Sequence, residues 1–171
     1  MRRLSLVLAL IASLAIVATV SAANTQFRTF GTGDVTESPE GTFTIANDAG
    51  EFGGVFLNSR SQSGKLLADV DFSFVSSGAV AGGAPRLSIP IKDEIGTADL
   101  FAFLDVNNCL SNTVDTDSPN CMVNLNQTYG TFANWDAFAA AHPTFRIVPG
   151  GIPFVISDQP GTYVVKDILL R

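Results

Sequence analysis

The sequence predicts an all-β protein, an antiparallel β-sandwich of jelly-roll type with one short α-helix. Three observations lead there. Clusters of turn formers recur about every ten residues, and apolar residues alternate with polar ones between them. The composition is charge-poor and rich in glycine and phenylalanine, with 15 Gly, 13 Phe and 15% charged residues among 171, which suits a β protein outside the cytoplasm. There is no internal repeat and no low-complexity tract.

The chain begins with Arg2 and Arg3, an apolar run over residues 4–20, and then Ser21-Ala22-Ala23. That order is the one found in secretory signal peptides, with cleavage after Ala22 or Ala23. A retained anchor is the alternative, since the run is about as long as the shortest spanning helices. Ser13, Thr19 and the small-residue exit favour removal. No cysteine stands near the cleavage region, which argues against a lipid-anchored form. The expected organisation is a signal peptide over 1–23 and a single domain over 24–171, secreted or held in the cell envelope. About 148 residues suffice for one core that buries roughly 68–70% of the unfolded surface.

The whole chain carries a net charge of −6. Without Arg2 and Arg3, eight basic side chains face 16 acidic ones, a balance of about −8. Nucleic acid and anionic membrane are disfavoured as partners because both require a basic footprint. After cleavage no membrane span remains.

Along the domain, Ser38-Pro39-Glu40-Gly41 and Asn47-Asp48-Ala49-Gly50 are turn signals bracketing a strand, TFTIA, over 42–46. Residues 53–57 follow as a second short strand and 58–65 as a polar loop. Over 68–74, Ala68, Val70, Phe72 and Phe74 fall on one face and Asp69, Asp71 and Ser73 on the other, predicting a third. The stretch VAGGAPRLSIPI, residues 80–91, reads as a loop entering a strand. A phosphate cradle would set its glycines ahead of a helix, whereas here Leu87, Ile89 and Ile91 alternate with Arg86, Ser88 and Pro90. Pro90 points to an edge or bulged position, since it cannot donate to a ladder. A phenylalanine-rich strand over 100–106 and a short one starting at Cys121 come next.

NWDAFAAAHP, residues 134–143, breaks the β rhythm: Asn134 is a capping residue, Trp135, Phe138, Ala139 and His142 recur at helical spacing, and Pro143 ends the helix. Trp135 and Phe138 then plug one end of the sandwich, with an exposed sugar platform at Trp135 as the alternative. His142 sits at the helix end in a structural or capping role. In Gln159-Pro160-Gly161-Thr162, Pro and Gly stand where a type II turn wants them, which predicts a hairpin joining strands over 152–157 and 162–170.

Cys109 and Cys121 are the only cysteines, the segment between them, LSNTVDTDSPN, reads as turn formers and polar groups, and export would place the pair in an oxidising compartment. They are expected to form a disulfide, contributing about 3 kcal/mol in the chain-entropy treatment. A zinc site fails for want of ligands, because the chain holds one histidine.

If the strand from Arg86 pairs antiparallel with 68–74, Asp69, Asp71, Ser73, Arg86 and Ser88 share one side of a sheet. This is either a solvated face with a weak ion pair or a shallow polar groove for a glycan. Asp69 and Asp71 on one strand would lie about 6.8 Å apart, inside the roughly 5–9.5 Å separation of glycosidase carboxylates. The spacing is cheap, however, and the chain has no G-x-S-x-G, H-E-x-x-H or P-loop motif. Asp105, Asp115 and Asp117, with Asn107 and Asn108, offer oxygens for a structural Ca²⁺, although neither DVNNC nor DTDSP completes a calcium-loop motif. Asn126-Gln127-Thr128 is a sequon for eukaryotic secretion.

GTYVVKDILL, residues 161–170, resembles the closing strand of carbohydrate-binding-module and galactose-binding-like jelly rolls. GGAPRLSIPI, residues 82–91, resembles a strand of uncharacterised secreted bacterial β-sandwich proteins. In such modules an aspartate of the last strand often helps to hold a structural calcium, which implies that role for Asp167. The chain departs from them in lacking a tryptophan near its first strands. The expectation is a secreted, non-catalytic recognition module for a carbohydrate or cell-surface component, using Asp69, Asp71, Arg86, Ser88 and Trp135. A structural or interaction protein of the envelope without a small ligand is the second reading, and a glycosidase-like hydrolase the third.

Overall fold

A computed structural model describes residues 26–58, 60–92, 99–125 and 129–171. The signal peptide expected over 1–23, with its expected cleavage site, and the sequon at Asn126 lie outside the described residues. The strands are β1 Phe27–Gly31, β2 Asp34–Glu37, β3 Phe43–Asn47, β4 Gly53–Leu57, β5 Phe72–Gly78, β6 Arg86–Lys92 and β7 Asp99–Asp105. Beyond these come β8 Thr113–Asp115, β9 Val123–Asn124, β10 Thr131–Phe132, helix α1 Trp135–Ala141, β11 Arg146–Ile147, β12 Phe154–Ser157 and β13 Gly161–Leu170.

Among the described residues two antiparallel sheets form. The larger, of eight strands, runs β1-β4-β12-β6-β7-β9-β10 with β11 also paired to β6; the smaller runs β2-β3-β13-β5-β8. Within them, β3-β13-β5-β8 faces β4-β12-β6-β7, and the chain crosses between the layers in the order of a jelly roll. The alternation read from the sequence supplies the core. Phe43 and Ile45 of β3, Phe72 and Phe74 of β5, and Tyr163 and Val165 of β13 meet Val55, Leu87, Ile89, Leu104 and Val155 from the opposite sheet, all buried.

α1 forms where expected. The Asn134 side chain accepts from the Ala137 N–H at 2.8 Å, and His142 is the C-cap, its N–H donating to the Phe138 carbonyl. The 80–91 stretch is a loop entering β6, with Gly82 and Gly83 at φ 56° and 82° and a tight turn in which Ala81 and Ala84 exchange backbone bonds. Pro90 is neither on an edge strand nor at a bulge. It stands where the neighbour of β6 changes from β12 to β11, so its missing N–H falls at a break between two ladders.

Four other expectations are corrected. The strand over 68–74 begins only at Phe72: Leu67–Asp69 is a 3₁₀ turn with Ala68 and Asp69 exposed. Only Val70, Phe72 and Phe74 keep the inward register. The turn Gln159–Thr162 does not close a hairpin, because β12 pairs with β4 and β6 in one sheet and β13 with β3 and β5 in the other. A strand that arches across the core buries alternate residues just as a hairpin partner does, so alternation cannot separate the two. The turn-rich segment between the cysteines contains β8, which pairs with β5 through Val114 opposite Phe74. Finally, β6 and β5 lie in different sheets, so the proposed polar pairing of Asp69 and Asp71 with Arg86 and Ser88 does not occur.

Candidate functional site

Register builds the most unusual surface of the protein. In the outward positions of the larger sheet, Arg28, Phe56, Phe154, Ser88, Phe103 and Asn124 are successive cross-strand partners over β1, β4, β12, β6, β7 and β9. At the usual interstrand spacing this row is roughly 24 Å long. Phe30 lies beside it, its ring occupying the place where a Cβ on Gly54 would stand, so glycine at 54 lets an aromatic ring lie flat on the strand. Phe30 stacks on Phe56 at 4.2 Å and meets Phe154 edge-on at 5.7 Å. Phe154 meets Phe101 at 5.7 Å, and Phe101 stacks on Phe103 at 6.1 Å.

The rings thus form one contiguous apolar face. Phe101 is 39% and Ile152 43% exposed. A sandwich ordinarily turns polar residues outward, and contiguous exposed apolar patches mark interaction sites.

This arrangement redefines two of the expected site residues. Ser88 is fully buried with no partner for its Oγ, because the phenylalanines flanking it on β12 and β7 close over it. Arg86 does not reach Asp69 or Asp71. Its Nη2 and Nη1 donate to the two carboxylate oxygens of Asp158 at 2.6 and 3.3 Å, and its guanidinium lies 5.6 Å from the Phe103 ring centre. This fork-to-fork pair places a fixed polar group beside the aromatic row, next to Phe103.

Trp135 is not a sugar platform. It is 2% exposed, its Nε1–H donates to the Leu67 carbonyl at 2.8 Å, and its ring meets Phe138 edge-on. His142 packs against Tyr129, Phe132, Phe138 and Phe145, stacked on the last at 4.3 Å.

The acidic residues regroup. Asp71, Asp115 and Asp117 bring carboxylate oxygens within 4.8 Å of one another, a donor set that suits a hard cation such as Ca²⁺. Arg171 lies 3.6 Å from Asp71 and partly balances it. Asp105 stands elsewhere, its carboxylate accepting from the Asn108 N–H at 3.0 Å and the Asn108 side chain at 2.7 Å to cap a 3₁₀ turn. Asp167 is exposed at a β-bulge in β13 with φ 52°. Asp69, on its turn, is not the strand neighbour of Asp71 that the glycosidase spacing assumed.

Burial raises the Asp71 carboxyl above its ordinary value near 3.8, and Asp117 and Asp115 add to this while Arg171 opposes it. The folded chain therefore holds that proton more tightly than the unfolded one. Stability from this group is fully present below the unfolded value and is lost as pH rises through the folded one. Asp71→Asn is expected to raise the melting temperature at neutral pH in metal-free buffer, the gain shrinking as pH falls toward 4. Thermal melts across that range check this, and a variant less stable than wild type at pH 7 contradicts it.

Cys109 and Cys121 form the disulfide, joining the turn after β7 to the start of β9. No helix among the described residues is long and apolar enough to cross a membrane. Sequence reasoning missed the aromatic face, although its signal was present in FRTF, GGVFL, DLFAFLD and PFVIS, where the register opposite the core is also aromatic. Comparison with family models, with curated proteins and with solved structures finds no match.

Proposed function

We propose that this protein is a non-catalytic recognition module, secreted or held in the envelope, that takes a glycan on the outer face of its larger sheet. The observation that supports the reading is the phenylalanine row from Phe56 to Phe103 with the Arg86–Asp158 pair beside it. A sugar ring presents a face of C–H groups, which stacks on aromatic faces, and a rim of hydroxyls, which needs fixed donors and acceptors. Apolar lining with a few placed polar groups is the usual make-up of a ligand site. The leader-like start of the chain and the disulfide suit work outside the cytoplasm. Calcium enters this reading at Asp71, Asp115 and Asp117, away from the aromatic face, as a structural ion.

The test is affinity electrophoresis in gels containing neutral and acidic polysaccharides, comparing wild type with Phe101→Ala/Phe154→Ala. Wild type is expected to be retarded by at least one polymer and the double variant to lose at least tenfold in affinity while still melting cooperatively. Equal retention of the two proteins would place any binding elsewhere. The second reading, an envelope interaction protein, uses the same apolar face to meet another protein and is favoured if no polymer retards the wild type.

A further inference from the structure

We propose that the cleft at the β1 end of the aromatic row makes the site selective for acidic sugars, with Arg28 receiving the carboxylate. The inference rests on the glycan reading and names its substrate class. The cleft has a volume of about 640 Å³ and is lined by Arg28, Phe56, Asn58, Ser63 and Ile152, together with Gly150 and Gly151. Phe56 belongs both to the cleft and to the row, so a chain lying along the rings runs into it.

The chemistry of the lining is mixed in the way a charged sugar requires. Phe56 and Ile152 supply apolar surface, and Asn58 and Ser63 bring an amide and a hydroxyl. The Ser63 Oγ accepts from the Gly150 N–H at 2.8 Å, which leaves its hydroxyl hydrogen to be donated elsewhere. Arg28 is exposed, and no carboxylate among the described residues pairs with it. Arg86 and Arg171, by contrast, are engaged by Asp158 and Asp71. A guanidinium fork that no described carboxylate engages matches a ligand carboxylate in shape and charge.

The wider charge pattern points the same way. The protein is acidic, with a net charge of −6, yet Arg28, Arg86 and Arg146 fall in the outward register of the larger sheet. Of the acids in or beside this register, Asp158 is held by Arg86, Asp105 by Asn108, and Asp99 stands opposite Lys92 in the β6–β7 pair. An anionic chain is repelled by the acidic remainder and drawn to this face. A second copy meeting it face to face would set like charges against each other.

The experiment uses polygalacturonate, alginate and hyaluronan in affinity gels, each native or carboxyl-reduced to a neutral polymer, with wild type and Arg28→Gln. At least one native polymer is expected to retard the wild type at a tenfold lower concentration than its reduced form. Arg28→Gln should abolish that preference, so that native and reduced polymers retard it alike, and should melt with the wild type, since Arg28 is exposed. Equal retention by native and reduced polymers overturns the acidic selectivity and leaves the glycan reading standing. A preference that survives in Arg28→Gln overturns the role of Arg28. Retention by none of the six gels overturns both readings, as does a dimer in gel filtration that Arg28→Gln dissociates.

Discussion

Trp135→Ala is expected to destabilise the fold by about 3–5 kcal/mol, the usual range for truncating a buried Trp. The ring fills the end of the sandwich against Phe138, and its N–H satisfies the Leu67 carbonyl on the 3₁₀ turn that leads toward β5. Truncation opens a cavity and leaves that carbonyl unpaired. Trp135→Phe keeps part of the ring and loses the hydrogen bond with the rest of the indole volume, a smaller cost than alanine and at least the roughly 1–3 kcal/mol of an unpaired buried acceptor. Urea unfolding of the three proteins orders them wild type, Phe, Ala. Glycan retention, measured well below the melting temperatures, is expected to be unchanged in both variants. A variant that folds but loses retention would restore Trp135 as a platform and contradict its burial.

Replacing Cys109 and Cys121 together by alanine is expected to cost about 3 kcal/mol through the freed chain entropy of the loop between them. For a domain of this size that corresponds to a fall of roughly 10 °C in melting temperature. The effect is large because the closed loop contains β8, whose Val114 covers the core beside Phe74. Reduction of the wild type with dithiothreitol should reproduce the loss and leave the double variant unaffected. If the reductant shifts neither protein, the bond contributes nothing to stability under those conditions.

Trp135 and the cysteine pair belong to the parts of the molecule the sequence disclosed most fully. Asn134 as cap, His142 at the helix end and Pro143 beyond it mark a helix by local chemistry alone, and the helix forms there. Inward alternation in TFTIA, in Leu87-Ser88-Ile89 and in Tyr163-Val164-Val165 is equally local, and each strand packs on the expected side. The disulfide follows from there being only two cysteines.

Pairing was not legible, and the candidate site depends on pairing. Asp71 in a single sequence points to no partner. Only the crossing of the chain between sheets brings Asp115 and Asp117 to it and carries Arg86 away to Asp158. Ser88 reads as a polar outward residue and becomes buried because Phe154, 66 positions later, and Phe103 are its cross-strand neighbours. The second aromatic register of DLFAFLD was visible, but one strand with two apolar faces does not say whether its outer face is covered or open.

By itself, then, the sequence determined what short-range forces decide: the period of burial along each strand, the helix with its caps, the turns, and the acidic balance of the whole. The tertiary structure alone decided which strands became neighbours, and with that the aromatic face, the cleft at Arg28 and the aspartate cluster. The physical reason is that alternation records only that a side chain is buried. Its neighbours are selected by the joint closure of two sheets, a property of the complete chain that no segment encodes.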